Sequence, residues 1–348
     1  MKKIKPICLI FILILFANCN CNNTEKNIKN QELVICSFGG SFQESQRKAF
    51  FEPFEKLTGI KIKEVNYSGE YSKIKAMVMS GNVDFDIVDV ELGTFLSGVK
   101  DSAYEKIDYK KIKIPGLMDV AKYDYGIATD FYSTGIGYNK KNSSKIPNSW
   151  KEFWDIKSYP GTRALRKNPY TLLEMALLAD GVPEKSLYPL DVERAFKSLD
   201  KIKKSIKVWW TTGQQPIQLL TTNEVDFTSV WSGRIWSAKH SNNLSLEFSY
   251  NQAFLEPEIW VILKGAKNKE NALKFIEFAS QAKQQAEMTK LFGTGPVNKD
   301  AFKYLDNTME KEIPTSAENL KKQIMVNGKW WAQNQDKIAE KWEEWLIK

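Results

Sequence analysis

At 348 residues, 43% of them hydrophobic, the chain has material for two domains of ordinary size. Its net charge of +8 comes from lysines scattered among glutamates and not from a basic stripe. That argues against a nucleic-acid partner and is compatible with mild attraction to an anionic membrane surface. His240 is the single histidine, which excludes a multi-histidine metal centre; neither a metal nor a cofactor is expected.

Lys2, Lys3 and Lys5 precede an apolar run from Ile7 to Ala17. Eleven residues are too few for a membrane-spanning helix, and the pattern predicts a secretory signal over 1–18. The run ends Phe16-Ala-Asn-Cys19, close to the lipobox pattern, so Cys19 is the expected lipidation site, with Cys21 a poorer second candidate. Without the three leader lysines the net charge is +5. Residues 19–31, rich in Asn and Lys with no apolar period, read as a tether. Cys8 leaves with the leader and Cys36 falls in a predicted strand, so no disulfide framework is expected.

Glu32 to Phe38 reads as a strand running into Gly39-Gly-Ser41. Gln43 to Leu57 is an amphipathic helix, with Phe50, Phe51, Phe54 and Leu57 on one side despite Pro53. Ile60 to Val65 alternates as a second strand. Tyr71 to Ser80 is a helix, and Phe85 to Val90 a third strand. This βαβαβ order predicts a parallel sheet with helices on both faces. Ligands on such sheets sit at the carboxyl ends of strands, here Ser37 to Ser41 and Asp89 to Glu91.

Ser133 to Tyr138 reads as a strand, Trp150 begins a helix, and Gly161 to Leu165 is a further strand. Asp191 caps a helix with Ala195, Phe196, Leu199 and Ile202 at helical spacing. Two tryptophan clusters follow, Trp209-Trp210 and Trp231 to Trp236. Between them lie a polar turn, a short helix and the strand Phe227 to Trp231. Gly233 permits close backbone approach, and Arg234 offers a planar five-donor fork. Aromatic walls, hydroxyls and amides suit a small polar or cationic ligand, although tryptophans taken alone read as core. Glu258 to Leu263 is an apolar strand, and Trp331, Ile338, Trp342 and Trp345 share one face of a terminal helix.

Six blocks carry a resemblance: Ser37-Phe-Gly-Gly-Ser-Phe42, Glu52-Pro-Phe-Glu-Lys-Leu-Thr-Gly59, Phe85-Asp-Ile-Val-Asp89, Pro147-Asn-Ser-Trp-Lys-Glu-Phe-Trp154, Val230-Trp-Ser-Gly-Arg234 and Gly265-Ala-Lys-Asn-Lys-Glu-Asn-Ala-Leu273. In this order and spacing, from about Glu32 to Leu346, the chain resembles substrate-binding proteins of ABC importers, in the spermidine/putrescine-binding branch. The resemblance implies an α/β, two-lobed periplasmic-binding-protein fold of type II. Central sheets are flanked by helices, and crossing strands near Ile136 to Asn139 and Leu255 to Val261 form a hinge that closes on ligand. Lobe one is expected over 31–135 and 254–305, and lobe two over 136–253 and 306–348. The expected protein is an extracytoplasmic (periplasmic), lipid-anchored monomer that delivers ligand to a membrane permease and its ATPase, with no chemistry on the ligand.

The same resemblance assigns the site. Trp231 matches the family's cleft tryptophan, and Glu258 its carboxylate before the returning strand. Phe38 matches the early aromatic, and Ser41 stands in place of a tyrosine. Glu91 replaces a serine, with Asp89 two residues earlier. Asn168 and Thr171 replace paired acids, and Arg234 replaces a small residue. With Trp210, the expected ligand set is Phe38, Ser41, Asp89, Glu91, Trp210, Trp231, Arg234 and Glu258. A cationic amine, putrescine or spermidine, is expected first; an amine-bearing acid such as 4-aminobutyrate, or a small organic anion, is the alternative. Arg234 separates them. Left unpaired in the cleft it favours a ligand carboxylate; neutralised by Glu258 or Glu91 it leaves room for a diamine.

Two other classes fit the sequence less well. A secreted enzyme lacks a Gly-x-Ser-x-Gly elbow or Walker A loop, and acid pairs such as Asp84 and Asp86 occur in any long chain. A structural surface lipoprotein would show no ligand-dependent stabilisation.

Overall fold

The computed structural model describes residues 32–67, 69–141, 145–241 and 243–347. The leader and the whole tether, with Cys19 and Cys21, lie outside them. Among the described residues ten strands form: β1 (Glu32–Ser37), β2 (Lys61–Asn66), β3 (Ile87–Glu91), β4 (Lys122–Tyr123), β5 (Gly126–Asn139), β6 (Arg163–Arg166), β7 (Ile206–Trp210), β8 (Phe227–Trp231), β9 (Leu246–Ile262) and β10 (Ile324–Met325). Their order is β2-β1-β3-β9-β5-β8-β6-β7, with β4 on β5 and β10 on β9. β1, β2 and β3 are parallel, as their βαβαβ sequence requires.

The two long strands organise everything else. β5 and β9 pair antiparallel along most of their length. The first half of β5 and the last part of β9 join β3-β1-β2. The second half of β5 and the start of β9 join β8-β6-β7. Between the halves the register jumps from Thr134↔Phe254 to Ile136↔Ser249, which leaves Tyr250 to Ala253 out of the ladder. One strand path therefore runs through two differently covered half-sheets.

Each half-sheet buries both faces, because alternate strand residues point to opposite sides. Ile35 packs with Phe50, Phe54, Trp260 and Phe275 on one face of the first half. Cys36 packs with Ile74, Val88, Val90 and Phe95 on the other. In the second half, Trp150, Phe153, Leu173 and Phe196 cover one face, and Trp210, Leu220, Val230 and Ile235 the other. The expected phenylalanine helix forms as Gly40–Gln46, a π-helical turn Arg47–Phe51, and Glu52–Thr58.

The terminal helix Gly328–Ile347 buries Trp331, Ile338, Trp342 and Trp345 against the second half, as their spacing predicts. Its opposite edge rests on the first half. Gly328 lies against Leu92 and Leu96, where any Cβ would come within 2.6 Å, and Gln335 donates to Ser97. The tail thus touches both halves, with its tryptophan face on the second.

Candidate ligand-binding site

The site forms where β1, β3, β5, β8 and β9 end or cross. In antiparallel register Glu91 opposes Glu258, and Glu258 opposes Asp130 on its other side. Directly paired residues share a face, so the three carboxyls stand in one row. Asp89, Glu256 and Tyr132 lie two residues along the same strands and share that face.

Arg234 enters from the opposite half-sheet, in the first turn of the helix Ser232–Ser241. It is 3% exposed. Its guanidinium donates to Ser41 Oγ at 3.2 Å, to the Gly39 carbonyl at 3.1 Å and to the Phe38 carbonyl at 3.4 Å. Gly40, at φ 57°, is needed here, since a Cβ would lie 2.8 Å from the guanidinium nitrogen. Arg234 takes part in no ion pair within 4.0 Å among the described residues. Burial lowers its pKa to about 10, partly opposed by the charge of Glu258.

Between these groups lies a small cavity, with Phe38, Phe42, Trp231 and Phe292 as walls and Asp130, Tyr132, Arg234, Glu258 and Thr294 as its polar lining. Asp130 Oδ1, Glu258 Oε2, Trp231 Nε1 and Thr294 Oγ1 are buried without a hydrogen-bond partner in the protein. Leaving such groups unpaired costs roughly 1–3 kcal/mol each. Two acceptors, two hydroxyl or indole groups and one guanidinium around aromatic walls suit a small molecule carrying an ammonium and an anionic group.

Four expected ligand residues, Phe38, Trp231, Arg234 and Glu258, line this cavity together. Ser41 holds Arg234 instead. Asp89 lies behind the lining, where its Oδ2 accepts from Gln46 at 2.6 Å. Glu91 turns away and pairs with Arg166 at 2.9 Å. Trp210 belongs to the core behind Trp231, edge-on at 5.6 Å between ring centres. Asp130, Phe42, Phe292 and Thr294 were not singled out from sequence. Asp130 had a detectable signal, since it sits in the run Ile127-Ala-Thr-Asp-Phe-Tyr132, but only the register of β5 against β9 brings it to Glu258.

The carboxyl row is held in part as neutral acid. Burial pushes Asp89 up to about 7. Burial, then the charge of Glu91, pushes Glu256 up to about 8. Burial also raises Asp130 and Glu258 well above the usual carboxylate range, helped by the neighbouring acids. Away from the cavity, Glu174 is pushed by burial to about 7, although it accepts from Tyr188 and Trp331.

The family model described as bacterial extracellular solute-binding protein matches residues 49–319. A gamma-aminobutyric acid-binding protein of Pseudomonas aeruginosa is 34% identical over 326 residues, 92% of each chain. A spermidine/putrescine-binding periplasmic protein of Escherichia coli is 24% identical over 294 residues, 80% of this chain and 81% of that one. Among solved structures, a periplasmic binding protein of A. tumefaciens R10 in complex with agropinic acid is 35% identical. It covers 91% of this chain and 99% of its own, with a TM-score of 0.85. A GABA receptor structure is 37% identical, with a TM-score of 0.80, covering 90% and 97%.

The raised carboxyls set a pH dependence. An unfolded carboxyl titrates near pH 4, so between there and about pH 8 the folded ligand-free chain binds more protons than the unfolded one. Stability must therefore fall as pH rises through that window. Thermal melts of ligand-stripped protein should give a higher midpoint at pH 5 than at pH 8; a midpoint that climbs across this range would contradict the assignment.

Proposed function

The chain belongs to the bacterial extracellular solute-binding proteins of ABC importers, which are not enzymes, and on that premise we propose that it captures an amine-bearing acid of the 4-aminobutyrate type. The ligand carboxylate meets Arg234, and its ammonium meets Asp130 and Glu258. The methylene chain lies against Phe38, Trp231 and Phe292. The observation that carries this reading is the buried Arg234, oriented by two carbonyls and a hydroxyl but matched to no carboxylate.

Putrescine and spermidine were the first expectation from sequence. A polycation would face an uncompensated buried guanidinium, which is costly, and Glu91 is committed to Arg166. The polyamine-binding relatives are the more distant ones, at 24% against 34% identity. Both considerations favour the amine-bearing acid. An ammonium over an aromatic face contributes roughly 0.5–2 kcal/mol, so the charged contacts at the two ends must supply the rest.

Two units, 31–135 with 254–305 and 136–253 with 306–348, would close on this ligand about the β5 and β9 crossings. ABC-importer function implies a membrane permease as partner. We also propose that the protein acts as a monomer tethered through a lipid on Cys19. Palmitate labelling should be lost in Cys19→Ser; label retained at wild-type level would refute Cys19 as the anchored residue.

Calorimetric titration of ligand-stripped protein with 4-aminobutyrate, putrescine, spermidine and malate tests the ligand. 4-Aminobutyrate should bind most tightly. Arg234→Ala should weaken it by about 2–5 kcal/mol, the usual cost of truncating one partner of a buried charge pair. Binding of malate alone, indifferent to Glu258→Gln, would sink the amine reading.

A further inference from the structure

Arg166 ends β6 and is buried among groups that would otherwise make a good cation site. Its guanidinium donates to Glu91 Oε1 at 2.9 Å, both side chains being about nine-tenths buried. Its Cζ lies 4.9 Å from the ring centre of Trp231 and 6.0 Å from that of Trp210. A carboxylate facing an aromatic ring is the arrangement that receives an ammonium group. Here the chain's own guanidinium stands in that place.

The position matters because Trp231 also lines the cavity, beside Asp130 and Glu258. Glu91, the third carboxyl of the row, instead faces a groove bordered by Tyr170 and Trp331. Arg166 touches one residue of each space. It neutralises Glu91 and covers the Trp231 ring, so the carboxyls with free oxygens toward the cavity are Asp130 and Glu258, side by side on β5 and β9. One ammonium can be held there, and a second, four carbons away, finds no counter-charge.

We propose that Arg166 is a specificity-determining residue: an internal cation that fills a second ammonium subsite, between Glu91 and Trp231, and so excludes α,ω-diamines. The inference rests on the proposed function for its preferred ligand, but its test does not. Putrescine and 4-aminobutyrate are titrated into wild-type protein, Arg166→Gln and Arg166→Met, each also with Glu91→Gln. Loss of the guanidinium should raise putrescine affinity relative to 4-aminobutyrate at least tenfold, and adding Glu91→Gln should reverse the gain. A purely structural role would weaken both ligands together.

Arg166→Gln, whose amide still donates to Glu91, decides the matter should the Met variant not fold. A folded Arg166→Gln protein with wild-type putrescine affinity would overturn the proposal, as would a gain that survives Glu91→Gln or tight putrescine binding by the wild type. Failure of 4-aminobutyrate to bind the wild type counts against the proposed function alone. The Arg166 assignment is then read from putrescine affinity by itself.

Discussion

A guanidinium held in the interior without a counter-ion is the constraint on which the site depends. Arg234 is oriented by the Phe38 and Gly39 carbonyls and by Ser41. These dipoles fix its direction but cannot cancel its charge. An uncompensated buried charge is expensive unless something supplies the missing partner. Across the cavity, Asp130 and Glu258 present buried oxygens with no donor, and burial keeps them biased toward the neutral acid. The proposed zwitterion would resolve both problems at once: its carboxylate would meet the guanidinium, and its ammonium would draw the acids into their charged form.

The long strands make that opposition of charges possible. β5 and β9 belong to both half-sheets, so the acids on one half face an arginine supplied by the other. Arg234 against the loop after β1, and Arg166 against Glu91 at the end of β3, are both contacts between the halves. Each would break if the halves separated to admit a ligand. The groups proposed to recognise or restrict the ligand are therefore also contacts between the halves.

Much of this was legible in the residues. The alternation of β2, the phenylalanine face before Gly59 and the tryptophan face of the last helix follow from side-chain periodicity, which needs only neighbouring residues. The long strands were not legible in full. β5 is buried at twelve successive positions from Gly126, so no polar-apolar alternation marks its start. The pairing of Asp130 with Glu258 spans two distant segments and appears only in the register. Trp210 and Trp231 look alike in sequence, yet one ends β7 in the core and the other ends β8 at the cavity. Asp89 and Glu91 share a face, and their different fates were set by Gln46 and Arg166, neither of which stood out from the chain.

The orientation of the bound ligand is the most direct test. A crystal structure of the protein with 4-aminobutyrate should place the carboxylate within hydrogen-bond distance of Arg234 and the ammonium between Asp130 and Glu258, with the methylenes along Trp231. A ligand bound outside this cavity, or one whose ammonium lies at Arg234 and whose carboxylate lies against the acids, would contradict it.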